Sequence, residues 1–267
     1  MQAFACDLDG TLIGRDAVLR PRTRAAIARS RRAGVPVLIA TGRMFRSVEP
    51  YLGDAGIDDP VVCYQGAAVV DPRSRAFLLH EPLALDVARE AIAALEEIGL
   101  SPNVYVDDAL YVAQETEYSR AYSGFQHLPV TEVGDLLAWL DRPPTKLVAV
   151  ADPAVLAEVR PALARRFDGR VYLTTSLPHL LELGNPAVTK GSGIAFVAAR
   201  LGLDLAHVVA FGDGENDVEL LEAAGFGVAV EGGHPRLQAI ADWTCAGPAE
   251  EGVARVIDAI LDLDSAA

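Results

Sequence analysis

Short apolar runs alternate with amphipathic stretches along both ends of this chain. That rhythm restricts it to folds in which parallel strands are joined by crossover helices, because parallel neighbours cannot be linked by a tight turn. Residues 3–6 read as a strand, residues 23–33 as a helix closed by Gly34, and residues 35–40 as a second strand. A helical stretch over 44–55 then leads to a strand at 61–64. The pattern resumes late in the chain, with a helix over 192–201 stopped by Gly202, a strand at 208–211, a helix at 218–224, a strand at 227–230 and a final helix from Gly252.

Between these two blocks the rhythm changes. Residues 66–81 read as a hairpin turning at Asp71-Pro72-Arg73-Ser74, and Glu81-Pro82 marks an exit from the first lobe. The following stretch predicts a helix over 85–98, strands at 103–106 and 110–113, a helical region, a strand at 146–150, a helix, and strands at 171–174 and 180–183. Asp152 is placed as the N-cap of that helix with Pro153 in its first turn, and Val155, Leu156, Val159 and Leu163 form its apolar stripe. Gly184-Asn185-Pro186 marks the return. The expected fold class is therefore α/β: a parallel-sheet core made of residues 1–81 and 185–267, interrupted by an antiparallel α+β lobe over residues 82–184.

Composition narrows the function classes. With 51% hydrophobic residues the 267-residue chain can bury a large core, and its net charge of −14 argues against general binding to nucleic acid or anionic membrane, both of which need a basic footprint. The sequence has no apolar run long enough for a membrane span, and Asp7 interrupts the N-terminal apolar stretch before a signal-peptide core could form. Cys6, Cys63 and Cys245 are widely spaced, so neither a disulfide framework nor a structural zinc site is expected, and a cytoplasmic location fits. His80, His127, His179, His207 and His234 lack metal-ligand spacing and are read as structural or surface residues.

The chemistry-bearing residues gather at the carboxyl ends of predicted strands. The first strand runs into Asp7-Leu8-Asp9-Gly10-Thr11-Leu12, the second into Thr41-Gly42-Arg43, and the strand at 208–211 into Gly212-Asp213-Gly214-Glu215-Asn216-Asp217. In open α/β sheets this edge is where ligands bind, so motifs distant in sequence can meet in one crevice. Lys190, at the start of the helix after the inserted lobe, can join them. Of the 23 basic residues only Lys146 and Lys190 are lysines, and a lysine at this position points to a compact ammonium rather than a planar fork. Lys146 is read as an edge or surface residue of the inserted lobe.

Several carboxylates in one crevice repel unless a hard cation joins them, and Mg²⁺ takes a few carboxylates while also holding a phosphate. Carboxylates, a cation, a hydroxyl, a lysine and backbone amides are the parts that phosphoryl transfer requires. The spacing of Asp7 and Asp9 allows one carboxylate to attack phosphorus while its neighbour handles the leaving-group proton, with Leu8 turned into the core.

These motifs, together with Val188-Thr189-Lys190-Gly191, resemble those of the haloacid dehalogenase (HAD) superfamily of phosphatases, specifically the Cof-type branch with a type IIB α/β cap, over essentially the whole chain. The resemblance implies a Rossmann-like HAD core and a cap at residues 82–184 that sets substrate specificity. It implies that Asp7 forms an aspartyl-phosphate and that Asp9 protonates the leaving alcohol and then activates water. It also implies a Mg²⁺ site made by Asp7, the main-chain carbonyl of Asp9 and Asp213, with Asp217 holding a metal-bound water. Thr41, the Gly42 amide, Lys190 and Asn216 would grip phosphoryl oxygens, with Arg43 nearby.

The expected substrate is a small phosphorylated metabolite, with sugar phosphates first. A phosphomutase and a non-catalytic phospho-ligand sensor are the competing readings. Two departures from the family pattern stand out: Gln65-Gly66-Ala67 where relatives have Asn-Gly-Ala, which bears on a contact near the cap hinge, and Ala187-Val188 where they have Gly-Val.

Overall fold

The computed structural model describes residues 1–126 and 128–266, so His127 lies outside the described residues. In chain order the first elements are β1 (Ala3–Cys6), α1 (Pro21–Arg32), β2 (Val37–Ile39), α2 (Phe45–Ala55), β3 (Val61–Cys63), β4 (Ala68–Val70) and β5 (Phe77–His80). Next come α3 (Leu85–Glu97), β6 (Asn103–Val106), β7 (Ala109–Val112), α4 (Glu117–Gln126), β8 (Val130–Glu132), α5 (Leu136–Trp139), β9 (Lys146–Val150), α6 (Pro153–Arg166), β10 (Tyr172–Leu177) and β11 (Leu180–Gly184). The chain closes with α7 (Lys190–Leu201), β12 (Val208–Gly212), α8 (Val218–Ala223), β13 (Phe226–Val230), α9 (Pro235–Ile240), β14 (Trp243–Cys245) and α10 (Gly252–Ala266). It divides into two units, one of residues 1–42, 48–79 and 189–267, the other of residues 43–47 and 80–188.

The first unit is built on a five-stranded sheet in the order β14-β13-β12-β1-β2, and every pairing in it is parallel. A parallel bridge between Ala40 and Val62 continues the sheet toward β3, which pairs antiparallel with β4. Strands buried on both faces read as continuous apolar runs, and β1 and β12 are buried at every position. On one face Ala5, Leu38, Ala210 and Ala229 pack against Ile194 and Val197 of α7, Leu220 and Leu221 of α8 and Leu237 of α9. On the other, Ile39 shares a small apolar cavity with Ile27 of α1 and Val48 and Leu52 of α2. Fully burying each such aliphatic side chain contributes roughly 1.5–3 kcal/mol. Helix α10 lies against α1, and Asp258 and Asp262 receive Arg29 across that contact at 3.1 and 2.5 Å. These pairs are exposed and add little.

The second unit carries a six-stranded sheet in the order β10-β11-β9-β6-β7-β8. Its pairings are antiparallel except β7 with β8, which is parallel, so the lobe is mixed rather than purely antiparallel. Val104, Val106, Leu147, Ala149, Leu181 and Leu183 form one apolar face with Ala88, Ile92 and Leu95 of α3 and Leu156 and Leu163 of α6. Asp152 caps α6, accepting from the Ala154 amide at 2.8 Å, with Pro153 in the first turn. Val155 does not bury with the rest of the expected stripe, being 41% exposed.

Lys146 corrects a sequence expectation. It lies in the interior strand β9, is 2% exposed, and its ammonium meets Glu182 Oε2 at 2.6 Å, with the Tyr105 ring 5.1 Å away. A lysine can occupy an interior strand only with such a partner, since a buried unpaired charge is prohibitive.

Candidate active site

Three neighbouring parallel strands bring the sequence motifs to one sheet edge. Cys6 of β1 stands beside Phe211 of β12 and Ile39 of β2, so Asp7, Gly212-Asp213 and Ala40-Thr41 emerge side by side at the carboxyl ends. The ladder runs one step further: the Asp7 amide donates to the Phe211 carbonyl at 3.0 Å and the Ala40 amide to the Cys6 carbonyl at 2.9 Å. Asp7 therefore leaves the sheet with its backbone held, and it is 3% exposed. Leu8 turns into the core at 1% exposure, and Asp9 is half-buried.

Gly10 sets the closeness of the two acidic motifs. Its φ is +88°, and a Cβ placed there would lie 2.1 Å from Asp213 Oδ2, so only glycine lets the first loop pass over the Asp213 carboxylate. Thr11 Oγ donates to Asp213 Oδ1 at 3.3 Å. This threonine contact was not foreseen from sequence, although its place two residues after Asp9 was the available signal.

Lys190 is the first residue of α7, whose N-terminus is closed by a capping box between Thr189 and Ser192. That cap fixes where the lysine stem departs. Its ammonium donates to Asp7 Oδ1 and to Asp217 Oδ1, both at 2.6 Å, and all three side chains are buried. Asp217 uses its other oxygen, Oδ2, to accept the amides of Asp213 at 3.0 Å and Gly214 at 2.9 Å, which folds the 212–217 loop around it. Asn216 is buried and donates Nδ2 to Gln65 Oε1 at 3.0 Å.

Thr41 is buried at the end of the neighbouring strand, its amide donating to Val62 at 2.9 Å and its carbonyl accepting from Gln65 at 3.1 Å. Gly42 follows it in the same unit. Arg43 is buried too, but groups with the second unit and donates Nη1 to Ser47 Oγ at 3.0 Å, one turn along α2.

The electrostatics follow from burial. Desolvation, then the Asp217 charge, push the Asp7 carboxyl well above the usual carboxylate range, with Lys190 pulling the other way. Desolvation and Asp217 push Asp213 up to about 7, against the same lysine and the Thr11 hydrogen bond. Burial alone would lower the Lys190 ammonium, yet Asp217 and Asp7 outweigh it and hold it charged. All three cysteines are buried, and burial pushes the thiols of Cys6 and Cys245 upward, the latter to about 11, away from thiolate chemistry.

The cluster fits a hard divalent cation. Asp7, Asp213 and Asp217 place carboxylate oxygens within 4.8 Å of one another, and with all three ionised the single ammonium of Lys190 leaves the cluster two negative charges in excess. Asp7 Oδ2 is buried with no hydrogen-bond partner, an arrangement that costs free energy unless something positive sits against it. Asp217 enters the cluster with both oxygens already accepting from protein donors, whereas Asp7 Oδ2 and Asp213 Oδ2 are left for an ion.

Residues 4–257 match the haloacid dehalogenase-like hydrolases, and the chain belongs to that family. It is 30% identical to the 5-amino-6-(5-phospho-D-ribitylamino)uracil phosphatase YitU of Bacillus subtilis, over 97% of each chain. It is 28% identical to the pyridoxal phosphate phosphatase YbhA of Escherichia coli, over 86% of this chain and 87% of that one. Among solved structures, TM0651 of Thermotoga maritima superposes with a TM-score of 0.82 at 27% identity, over 96% of each chain. The α/β fold with a parallel sheet expected from the motif order is thus the fold of the family, and the chain is a hydrolase. Among the described residues no helix is long and apolar enough to cross a membrane.

Proposed function

We propose that this hydrolase is a Mg²⁺-dependent phosphatase of small phosphorylated metabolites, working through an aspartyl-phosphate on Asp7. The observation that carries the reading is the buried Asp7 carboxylate, with Oδ1 gripped by Lys190 and Oδ2 left without a protein donor. Asp7 supplies one oxygen to phosphorus; the new O–P bond forms as the bond from phosphorus to the leaving oxygen breaks. Asp9, two residues on and half-buried, gives its proton to that departing oxygen. It then takes a proton from the water that attacks the aspartyl-phosphate, so that the Asp7 O–P bond breaks and inorganic phosphate leaves. Asp7, the Asp9 carbonyl and Asp213 would hold Mg²⁺, with Asp217 acting through a bound water and through Lys190. When bound, the cation neutralises charge that builds on the phosphoryl oxygens.

Thr41, the Gly42 amide, Lys190 and Asn216 are assigned to the phosphoryl oxygens. Arg43, which donates to Ser47 Oγ, is assigned to the same role. Residues 82–184 are assigned as the cap that sets which organic group is accepted. The named activities of the relatives support a small phosphorylated metabolite as substrate, and sugar phosphates remain the first class to screen.

The test is release of inorganic phosphate from a panel of phosphorylated metabolites and p-nitrophenyl phosphate, with Mg²⁺ and after chelation. Asp7→Asn should abolish turnover while the protein keeps its thermal transition. Turnover by that variant at the wild-type rate would remove the nucleophile assignment, and undiminished activity after thorough chelation would remove the metal. Interconversion of a sugar phosphate without net phosphate release would point to the phosphomutase instead.

A further inference from the structure

The turn after β3 is strained backbone, and none of the catalytic assignments uses it. Tyr64 and Gln65 have φ of +53° and +60°, and Gly66 follows at +103°. Two consecutive non-glycine residues in the left-handed region persist only where the surroundings over-determine them. Three surroundings do so here. The Gln65 amide donates to the Thr41 carbonyl at 3.1 Å. Gly66 lies so close to the backbone of Thr189, the residue before Lys190, that a Cβ on it would stand 2.0 Å from the Thr189 carbonyl oxygen. The Gln65 side chain, 4% exposed, accepts from Asn216 Nδ2 at 3.0 Å through Oε1.

The other end of the Asn216 amide, Oδ1, lies over Gly214, where a Cβ would stand 2.2 Å from it. A carboxamide nitrogen has two N–H donors. With one N–H taken by Gln65, the bond to Oε1 orients the amide and one N–H remains to be given. A turn that touches the backbone of Thr41, the cap of the Lys190 helix and the side chain of Asn216 spans three of the segments assigned to the phosphoryl group.

We propose that Gln65 is a positioning residue of the phosphate site, acting through Asn216: its side-chain oxygen orients the Asn216 carboxamide so that the second N–H is presented to a phosphoryl oxygen. The proposal rests on the phosphatase reading. It makes Gln65 a working part of the site, because its side chain carries the acceptor to Asn216. Removing the acceptor frees the amide to rotate and weakens its hold on phosphate without touching the nucleophile.

The experiment compares wild type, Gln65→Met, Gln65→Asn, Asn216→Ala and the Gln65→Met/Asn216→Ala double variant. The readouts are affinity for inorganic phosphate in the presence of Mg²⁺, kcat/KM on p-nitrophenyl phosphate, and Tm. Methionine keeps the volume without the acceptor. Asparagine keeps an acceptor on a shorter stem and tolerates left-handed backbone, which provides a folded variant should methionine fail there.

Loss of one hydrogen bond to a substrate-facing group predicts about a tenfold fall in phosphate affinity for each single Gln65 variant. In the Asn216→Ala background the Gln65→Met change should have no further effect, because the residue through which it acts is gone. Unchanged phosphate affinity in a folded Gln65 variant, or losses that multiply in the double variant, would overturn the proposal. A wild-type protein that neither binds nor releases phosphate would overturn the phosphatase reading itself.

Discussion

Replacing Lys190 by methionine removes the cation that Asp7 and Asp217 share while keeping most of the stem's volume. The wild-type ammonium makes two contacts of 2.6 Å, and the side chains of Lys190, Asp7 and Asp217 are only 1%, 4% and 1% exposed. Solvent cannot replace the lost partner. Breaking a buried ion pair from one side costs about 3–5 kcal/mol, because an uncompensated charge is left behind. For a chain of this size, roughly 2–4 °C per kcal/mol converts this into a fall in Tm of roughly 6–20 °C.

The pH dependence supplies the internal check. Lys190 is the group that holds the Asp7 and Asp213 carboxyls down, so without it both rise further. A carboxyl raised in the folded state binds protons there that the unfolded chain has already lost, so stability falls as pH climbs through that window. The deficit against wild type should therefore be smaller near pH 5 than near pH 8, where the carboxyls are forced to ionise. The assay is thermal unfolding of both proteins in chelator, so that no bound cation contributes. A loss of less than about 2 °C near pH 8, or a deficit independent of pH, would refute the claim that this lysine is the counter-ion of the cluster.

Asp9→Asn should slow phosphate release by roughly 10²- to 10⁴-fold, the usual worth of an acid–base group, with inorganic phosphate affinity retained; steady-state kinetics and phosphate binding decide it. In the metal-free wild type, Asp213 sits at about 7 against an ordinary value of 3.8, so stability should decline as pH rises across that interval. Excess Mg²⁺, which needs the ionised carboxylate, should then raise Tm more near pH 8 than near pH 5, and scanning calorimetry at the two pH values tests the sign.

Much of the fold was legible because its signals are local. The runs at β1 and β12 are apolar at every position, as strands buried on both faces must be, and Gly34 and Gly202 stand just past the ends of their helices in left-handed backbone. The cap of α6 at Asp152 also followed from neighbouring residues alone. The misses lacked such local signals. Strand β14 is three residues with Trp243 62% exposed, and β8 is three residues at a sheet edge, so neither has a period to read. Val155 lies just off a stripe whose width sequence could not judge. Lys146 looked like a surface lysine because Glu182, which makes its burial tolerable, is 36 residues away in the chain and meets it only once β11 pairs with β9.

The same division runs through the candidate site. The order of the motifs, their placement at strand ends and the choice of carboxylates, lysine and hydroxyl are written in the sequence, and they carry the family and the class of chemistry. Which oxygen of Asp7 is gripped and which is left over, that Asp217 accepts from Lys190 and two loop amides, and that Gln65 reaches Asn216 were decided by tertiary structure. The physical reason is range. Strand and helix signals come from residues a few positions apart, whereas a buried charge takes its character from partners up to 183 residues away that only the folded sheet brings within hydrogen-bonding distance.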